Sequence, residues 1–468
     1  MKRSIKVFAL LITASAPFEL PANAQQPPDV VVSDYNNNTA MGTYALRSLS
    51  GGIENTAAGA QALLNNTTGY DNTAVGAYAL QYNADGYLNT GIGIAALELN
   101  TGGLFNTAAG AGALGLNKTG NYNTATGALA LALNGTGTSN TASGYNALYQ
   151  NSTGNNNSAF GWSALANGNG SNNSAFGYGA LASNLADGNS AVGTSALGSN
   201  TTGSFNTASG NSALYANSTG NNNSAFGSGA LASNLANDNS AVGTNALNRN
   251  TTGSFNTASG VNALYSNEVG SNNIAIGLNA GLNILESNNI DIGSRGVNRD
   301  NGIIRIGTAP AQSAAYVAGI ASTQVTGSAV YVTSSGQLGV LASSERYKTD
   351  VTPMAGTTEK LQRLRPVTFH LKTQPNGALQ YGLIAEEVDK VYPELVIRDE
   401  AGKIQGVRYD ELAPMLLNEV QRQRAQLQQQ AAQLQDTWQQ LTDLKQLNQS
   451  MQAAISKLQA RDERVALR

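Results

Sequence analysis

The sequence predicts a mainly β protein: a repetitive β-solenoid fibre, then a small α+β domain and a long C-terminal coiled-coil helix. Three observations carry this. A unit of 16 or 17 residues recurs in strict register between residues 38 and 298. Charge content changes abruptly near residue 298. A heptad pattern without glycine runs from Glu411 onward. Composition narrows the chemistry. With no Cys among 468 residues, a thiol nucleophile, a disulfide framework and a Cys-ligated metal site are excluded. A single His, His370, excludes multi-His metal motifs, and no metal or cofactor is expected. A net charge of −3 gives no basic field for nucleic acid.

Residues 1–24 read as a secretory signal. Lys2, Arg3 and Lys6 make a basic start, Val7 to Ala14 is a short apolar stretch, and Ala22-Asn23-Ala24 is a cleavage-site pattern. The apolar stretch is too short to span a bilayer, so the chain is expected to be exported and to act outside the cell or on its surface. Residues 25–37 form a linker.

Sixteen repeats fill residues 38–298. An Asn opens each, at positions 38, 55 and 72 through 273 and 289, and Gly always follows four residues later. Seven residues on stands Ala, with Gly296 the exception, and eight residues on Leu in 14 of the 16 units. Low charge alone would also suit disorder: residues 36–297 hold only 13 charged side chains, against 36 in residues 298–468. Disorder, however, does not hold a register. The period is too short for helix-pair repeats and fits one solenoid turn. A short strand is expected at Ser158–Phe160 and the start of a second at Ala164-Leu165. Asn and Gly would supply the corners with positive φ. The residue between Ala and Gly (Val75, Ile92, Phe160, Phe176, Val192, Ile276) and the Leu are expected to stack as apolar ladders. At about 4.8 Å per strand the rod would be roughly 80 Å long. The pattern N-[ST]-A-x-G resembles the head repeats of trimeric autotransporter adhesins, although this unit is longer and adds Ala-Leu. That resemblance implies a trimeric parallel β-roll.

Residues 299–342 read as a β collar. Ile303–Gly307 suggests a final turn, Tyr316–Ile320 and Ala329–Val332 suggest strands, and Ser334–Gly339 a hairpin turn.

The next segment holds the one chemical motif. Ser343-Ser344-Glu345-Arg346-Tyr347-Lys348 is followed by Leu364-Arg365-Pro366-Val367, then by Tyr381-Gly382-Leu383-Ile384-Ala385-Glu386-Glu387-Val388. Pro393-Glu394-Leu395-Val396 and Arg408-Tyr409-Asp410-Glu411-Leu412 complete the series. In this order the motifs resemble the endosialidase-type intramolecular chaperone, the self-cleaving C-terminal domain of phage tail spikes. Residues 343–412 would form that domain. The resemblance implies a homotrimer, assisted folding of the fibre upstream, and release of the domain by a serine-type cut in cis between Ala342 and Ser343. Ser343 would be the nucleophile and Lys348 its base. A hydroxyl needs such a base. In a chain with one His a neutral Lys is a credible one, made so by burial or by a cation such as Arg346. The scissile bond adjoins the nucleophile, so no external substrate pocket is needed. Ser344, beside Ser343, is the alternative nucleophile. His370 reads as a structural or surface residue, and Glu386 and Glu387 as a solvated helix face.

Residues 413–468 carry the heptads. Val420, Leu427, Leu434, Leu441, Asn448 and Ile455 form one seam; Leu444, Met451, Leu458 and Val465 form its companion. Together these readings give a secreted or cell-surface fibre matured by its own chaperone. The alternative is a fibre that keeps the domain as a trimer clamp. An unknown surface receptor or glycan is the partner class open to such an uncharged surface. A regular Thr row on a flat face would favour a binding solenoid.

Overall fold

The computed structural model describes residues 32–308, 310–312, 314–317, 329–333, 335–399 and 401–466. The signal with its Ala22–Ala24 site, most of the linker and part of the Tyr316–Ile320 strand candidate lie outside the described residues. Two units form, one through Tyr316 and one from Val317.

In the first unit every repeat makes one coil of a parallel solenoid. Each coil's three-residue strand starts directly after the opening Asn, from Thr39–Met41 to Ile290–Ile292, and the expected final turn adds Ile304–Ile306. Pairing is parallel and in register, for example Ala57 with Ala74 and Ala159 with Ala175. Val32–Ser33 adds one antiparallel strand at the start.

Period two within the strand points the central Ala inward, and the columns of Ala and Leu form a dry core. Ala57, Ala62 and Leu63 are wholly buried, and their Ala and Leu counterparts stay buried in the following coils through Ala263 and Leu264. The apolar ladders therefore separate. Leu stacks inside, whereas Val75, Ile92, Phe160 and Phe176 stack outside and stay exposed.

The second strand expected at Ala164-Leu165 does not form. Leu165 sits at φ 50° and Ser163 at φ 55°, and this left-handed Leu recurs in coil after coil. Such a backbone costs a non-glycine residue about 1–2 kcal/mol. Complete burial of the Leu side chain returns about 2–3 kcal/mol, and the amide keeps its bond to the next coil, as from Leu80 N to Ala96 O at 2.9 Å. Positive φ thus falls on Leu as well as on Asn and Gly, because this turn aims the side chain into the core.

Two Asn columns satisfy the interior polar groups. The opening Asn55 donates Nδ2 to Asn38 Oδ1 at 3.0 Å and to Gly69 O at 2.8 Å, while its amide bonds the same Oδ1 at 2.9 Å. A second column runs eleven residues on, with Asn83 Nδ2 to Asn66 Oδ1 at 2.7 Å. In most coils the buried amide is answered by an identical one in the adjacent coil, and elsewhere by a backbone carbonyl, as from Asn157 Nδ2 to Gly170 O at 2.8 Å, which makes the arrangement inexpensive in desolvation. Gly168 takes the place of this second Asn in one coil, and Asn151 Oδ1 just below it has no partner.

Outside, Thr39, Thr56, Thr73 and onward to Thr141 do form a regular row. The column two residues later is mostly apolar and interrupted by Phe rings, so the face is not a flat hydroxyl lattice. In the adjoining column Tyr145, Trp162 and Tyr178 stack at 6.1 and 4.7 Å. Trp162 has a ring on each side, so its faces are taken by its neighbours rather than offered to a sugar.

Asp291 and Arg305 end the Ala column, paired across the last two strands. Arg305 is held by Asp300 through Nε at 2.6 Å and Nη2 at 2.8 Å. Asp291 is buried with Oδ1 unpartnered, and burial pushes its carboxyl up to about 6. The folded coil therefore holds this proton more tightly than an open chain. Its contribution to stability is complete below about pH 4 and is lost as pH rises through 6. Asp291→Asn, which cannot ionise, is expected to gain up to about 3 kcal/mol at pH 7.5 and little at pH 4. Thermal melts at both values check this; a gap that does not widen with pH refutes it.

The second unit is small. Hairpins pair Tyr331–Val332 with Leu338–Gly339, Val367–Phe369 with Gln380–Gly382, and Val396–Arg398 with Ile404–Val407. Helix α1 spans Ala385–Asp389 and helix α2 Tyr409–Ala466. Val388, Tyr392, Leu395, Val396 and Val407 form the core, joined by Leu412 and Met415 of α2. The first turns of α2 thus belong to the domain. Beyond them Leu427, Leu434, Leu441 and Ile455 remain exposed.

Candidate functional site

The motifs of the C-terminal unit turn out to be mutual supports. Tyr409 opens α2 and its hydroxyl accepts the Leu383 amide at 2.8 Å. A Cβ on Gly382 would lie 2.6 Å from that hydroxyl, so the Gly of Tyr381-Gly382 and the Tyr of Arg408-Tyr409 require each other. Leu395 and Val396 of the Pro393–Val396 motif enter the core, and Arg408 N bonds Leu395 O at 2.9 Å. Arg365 grips Glu387 through Nε at 3.1 Å and Nη2 at 2.5 Å. That contact holds the Glu387 carboxyl below its ordinary range and ties the segment leading into the Val367–Phe369 strand to α1. Exposed on both sides, the pair adds orientation more than stability. His370 Nδ1 lies 3.1 Å from Gly377 O in the hairpin turn, at the surface.

One buried group escaped the sequence. Glu419 of α2 is nearly inaccessible. It accepts bonds from Arg422 Nε at 3.0 Å and Nη2 at 3.1 Å, from Gln423 Nε2 at 2.9 Å and from Thr358 Oγ1 at 3.3 Å. Arg422 first, with the surrounding amides, pushes the carboxyl down to about 2. Asn418 adds bonds to Ala355 O at 3.0 Å and Thr358 Oγ1 at 2.7 Å. Together they clamp the 3-10 helix Ala355–Arg363 to α2.

Ser343 and Lys348 flank a single 3-10 turn, Glu345–Tyr347. Its hydrogen bonds are backbone ones, Tyr347 N to Ser344 O at 3.0 Å and Lys348 N to Glu345 O at 2.9 Å. Every residue from Leu341 to Val351 is exposed. Arg346 lies over the Tyr347 ring at 4.6 Å, so the expected cation is engaged by an aromatic face. In one chain the two candidate residues are neighbours along the backbone, with nothing drying the amine.

The fold is a parallel β-solenoid followed in sequence by a small α+β domain with a long exposed helix. Residues 343–397 match the family described as Chaperone of endosialidase, and this segment is a domain of that family. No curated protein and no solved structure matches the chain. Among the described residues no helix is long and apolar enough to cross a membrane, and no group of three His, Cys, Asp or Glu could hold a metal ion.

Proposed function

We propose that the chain is an exported fibre protein whose copies, three by family resemblance, fold together under the C-terminal domain, after which each chain cuts itself between Ala342 and Ser343. The observation that carries this reading is where the family match begins. It starts at residue 343, the residue that would become the new N-terminus. The exposed segment around it fits a cut that severs little packed structure. A folding domain that aligns several chains lowers the entropy lost in nucleating the first coil, the costly step for a stacked repeat. Removing the domain afterwards closes the route back, so the fibre persists kinetically. The seam of α2 supplies the surface for parallel copies.

A denaturing gel of the purified full chain tests the reading. Cleavage gives a band for residues 343–468, 126 of the 468. A single full-length band would favour the retained clamp.

A further inference from the structure

We propose that the outer face of the solenoid sheet is the surface on which copies of this chain pack against one another. The face consists of the Thr/Ser column one residue after each opening Asn and the column two residues further on. The inference rests on the oligomeric reading above and adds the face it uses.

The second column is apolar in 13 of the 17 coils, Ala included, and its larger members are exposed, among them Val75, Ile92, Phe176 and Val242. A long, predominantly apolar stripe of this kind, broken only by Thr126, Ser143, Ser209 and Ser259, is unusual on a protein that stays alone. Its composition selects the occupant. Neither column contains a charged residue in any coil, so the face offers nothing to a partner recognised by charge, and two identical faces meet without repulsion. Both also share one spacing between coils, so parallel copies match along the whole length.

Size is adequate. Seventeen coils at about 4.8 Å, with a stripe roughly 10 Å wide, give about 800 Å² per copy, the contribution of one partner to a stable interface. The last three coils strengthen the case. There both columns are Ile: Ile274 and Ile276, Ile290 and Ile292, Ile304 and Ile306. Ile304 and Ile306 are 65% and 76% exposed, at the end of the solenoid that continues in sequence into the folding domain. Association that starts there would run on coil by coil.

Because the chain has no Cys, a single introduced one reports cleanly. Ser259→Cys lies in the apolar column, exposed; Thr252→Cys lies in a polar corner, also exposed. Both are conservative surface changes, and each is made in the full chain. With a short bis-maleimide, Ser259→Cys is expected to link about half or more of the chains and Thr252→Cys less than about a tenth. Light scattering on the unmodified chain gives the copy number. Oligomers in which Ser259→Cys fails to link, or links no better than Thr252→Cys, overturn the face and leave the oligomeric reading intact. A chain that is monomeric in light scattering overturns both.

Discussion

Gly161→Ala is expected to break the solenoid locally and to cost roughly 2–6 kcal/mol. Two independent effects add. Gly161 has φ +133°, a conformation that side-chain-bearing residues rarely adopt. A Cβ there would also lie 2.6 Å from the carbonyl oxygen of Gly177 in the next coil. That oxygen belongs to a backbone fixed by its own column, since Gly177 N bonds Phe160 O at 2.8 Å, and it cannot swing aside as a side chain would. In a stacked repeat each coil touches only its neighbours, so the damage should appear as a break rather than general softening. Limited proteolysis should cut near residue 161 in the variant, and the melt should split or shift downward. Ser143→Ala, an outward position one coil earlier, serves as the control. A variant that resists protease and melts like the parent would show that the Gly column has slack this geometry denies.

The solenoid was largely legible because each inward position admits one kind of residue. Ala is the side chain that fits between stacked strands, Gly the residue that fits where carbonyls crowd, and the opening Asn must answer itself from coil to coil. Strict register in the sequence is the trace of those demands. Two things stayed hidden. The corner Asn of Asn66-Thr67-Thr68-Gly69 looks like a surface turn residue, yet Asn66 is buried and joins its own column. Leu in a left-handed turn runs against local preference, and only the finished core explains it. In the C-terminal unit the family motifs were readable as patterns, but their reasons were spatial. Gly382 answers Tyr409 across 27 positions, and Leu383 bonds the same hydroxyl across 26. Glu419 could not be found from sequence, because Thr358 and Gln362 are separated from it by 61 and 57 positions.

If the proposed self-cleavage is correct, Ser343→Ala abolishes it and leaves one full-length band. The chemistry gives further outcomes that separate the nucleophile from its surroundings. Attack by the Ser343 hydroxyl on the carbonyl of Ala342 transfers the acyl group from nitrogen to oxygen within one residue, and water then releases the fragment that begins at Ser343. The hydroxyl has to lose its proton, so Lys348→Ala should stop the reaction as well. Lys348→Arg should also stop it, because a guanidinium keeps its proton and cannot act as a base even where it preserves the charge. Ser344→Ala should still cut. The reverse pattern, with Ser343→Ala active and Ser344→Ala silent, would move the nucleophile by one residue and the new N-terminus with it. N-terminal sequencing of the small fragment decides between them. The exposed setting of Lys348 sharpens the expectation. No packing holds the amine beside the Ser343 hydroxyl, so a single unfolded or isolated chain should cut slowly and cleavage should follow folding. A denatured chain diluted into buffer should therefore regain its α2 helix signal before the 126-residue fragment appears. Fragment that accumulates while the chain is still unfolded would mean that Ser343 needs no folded surroundings, and Lys348 would lose its role.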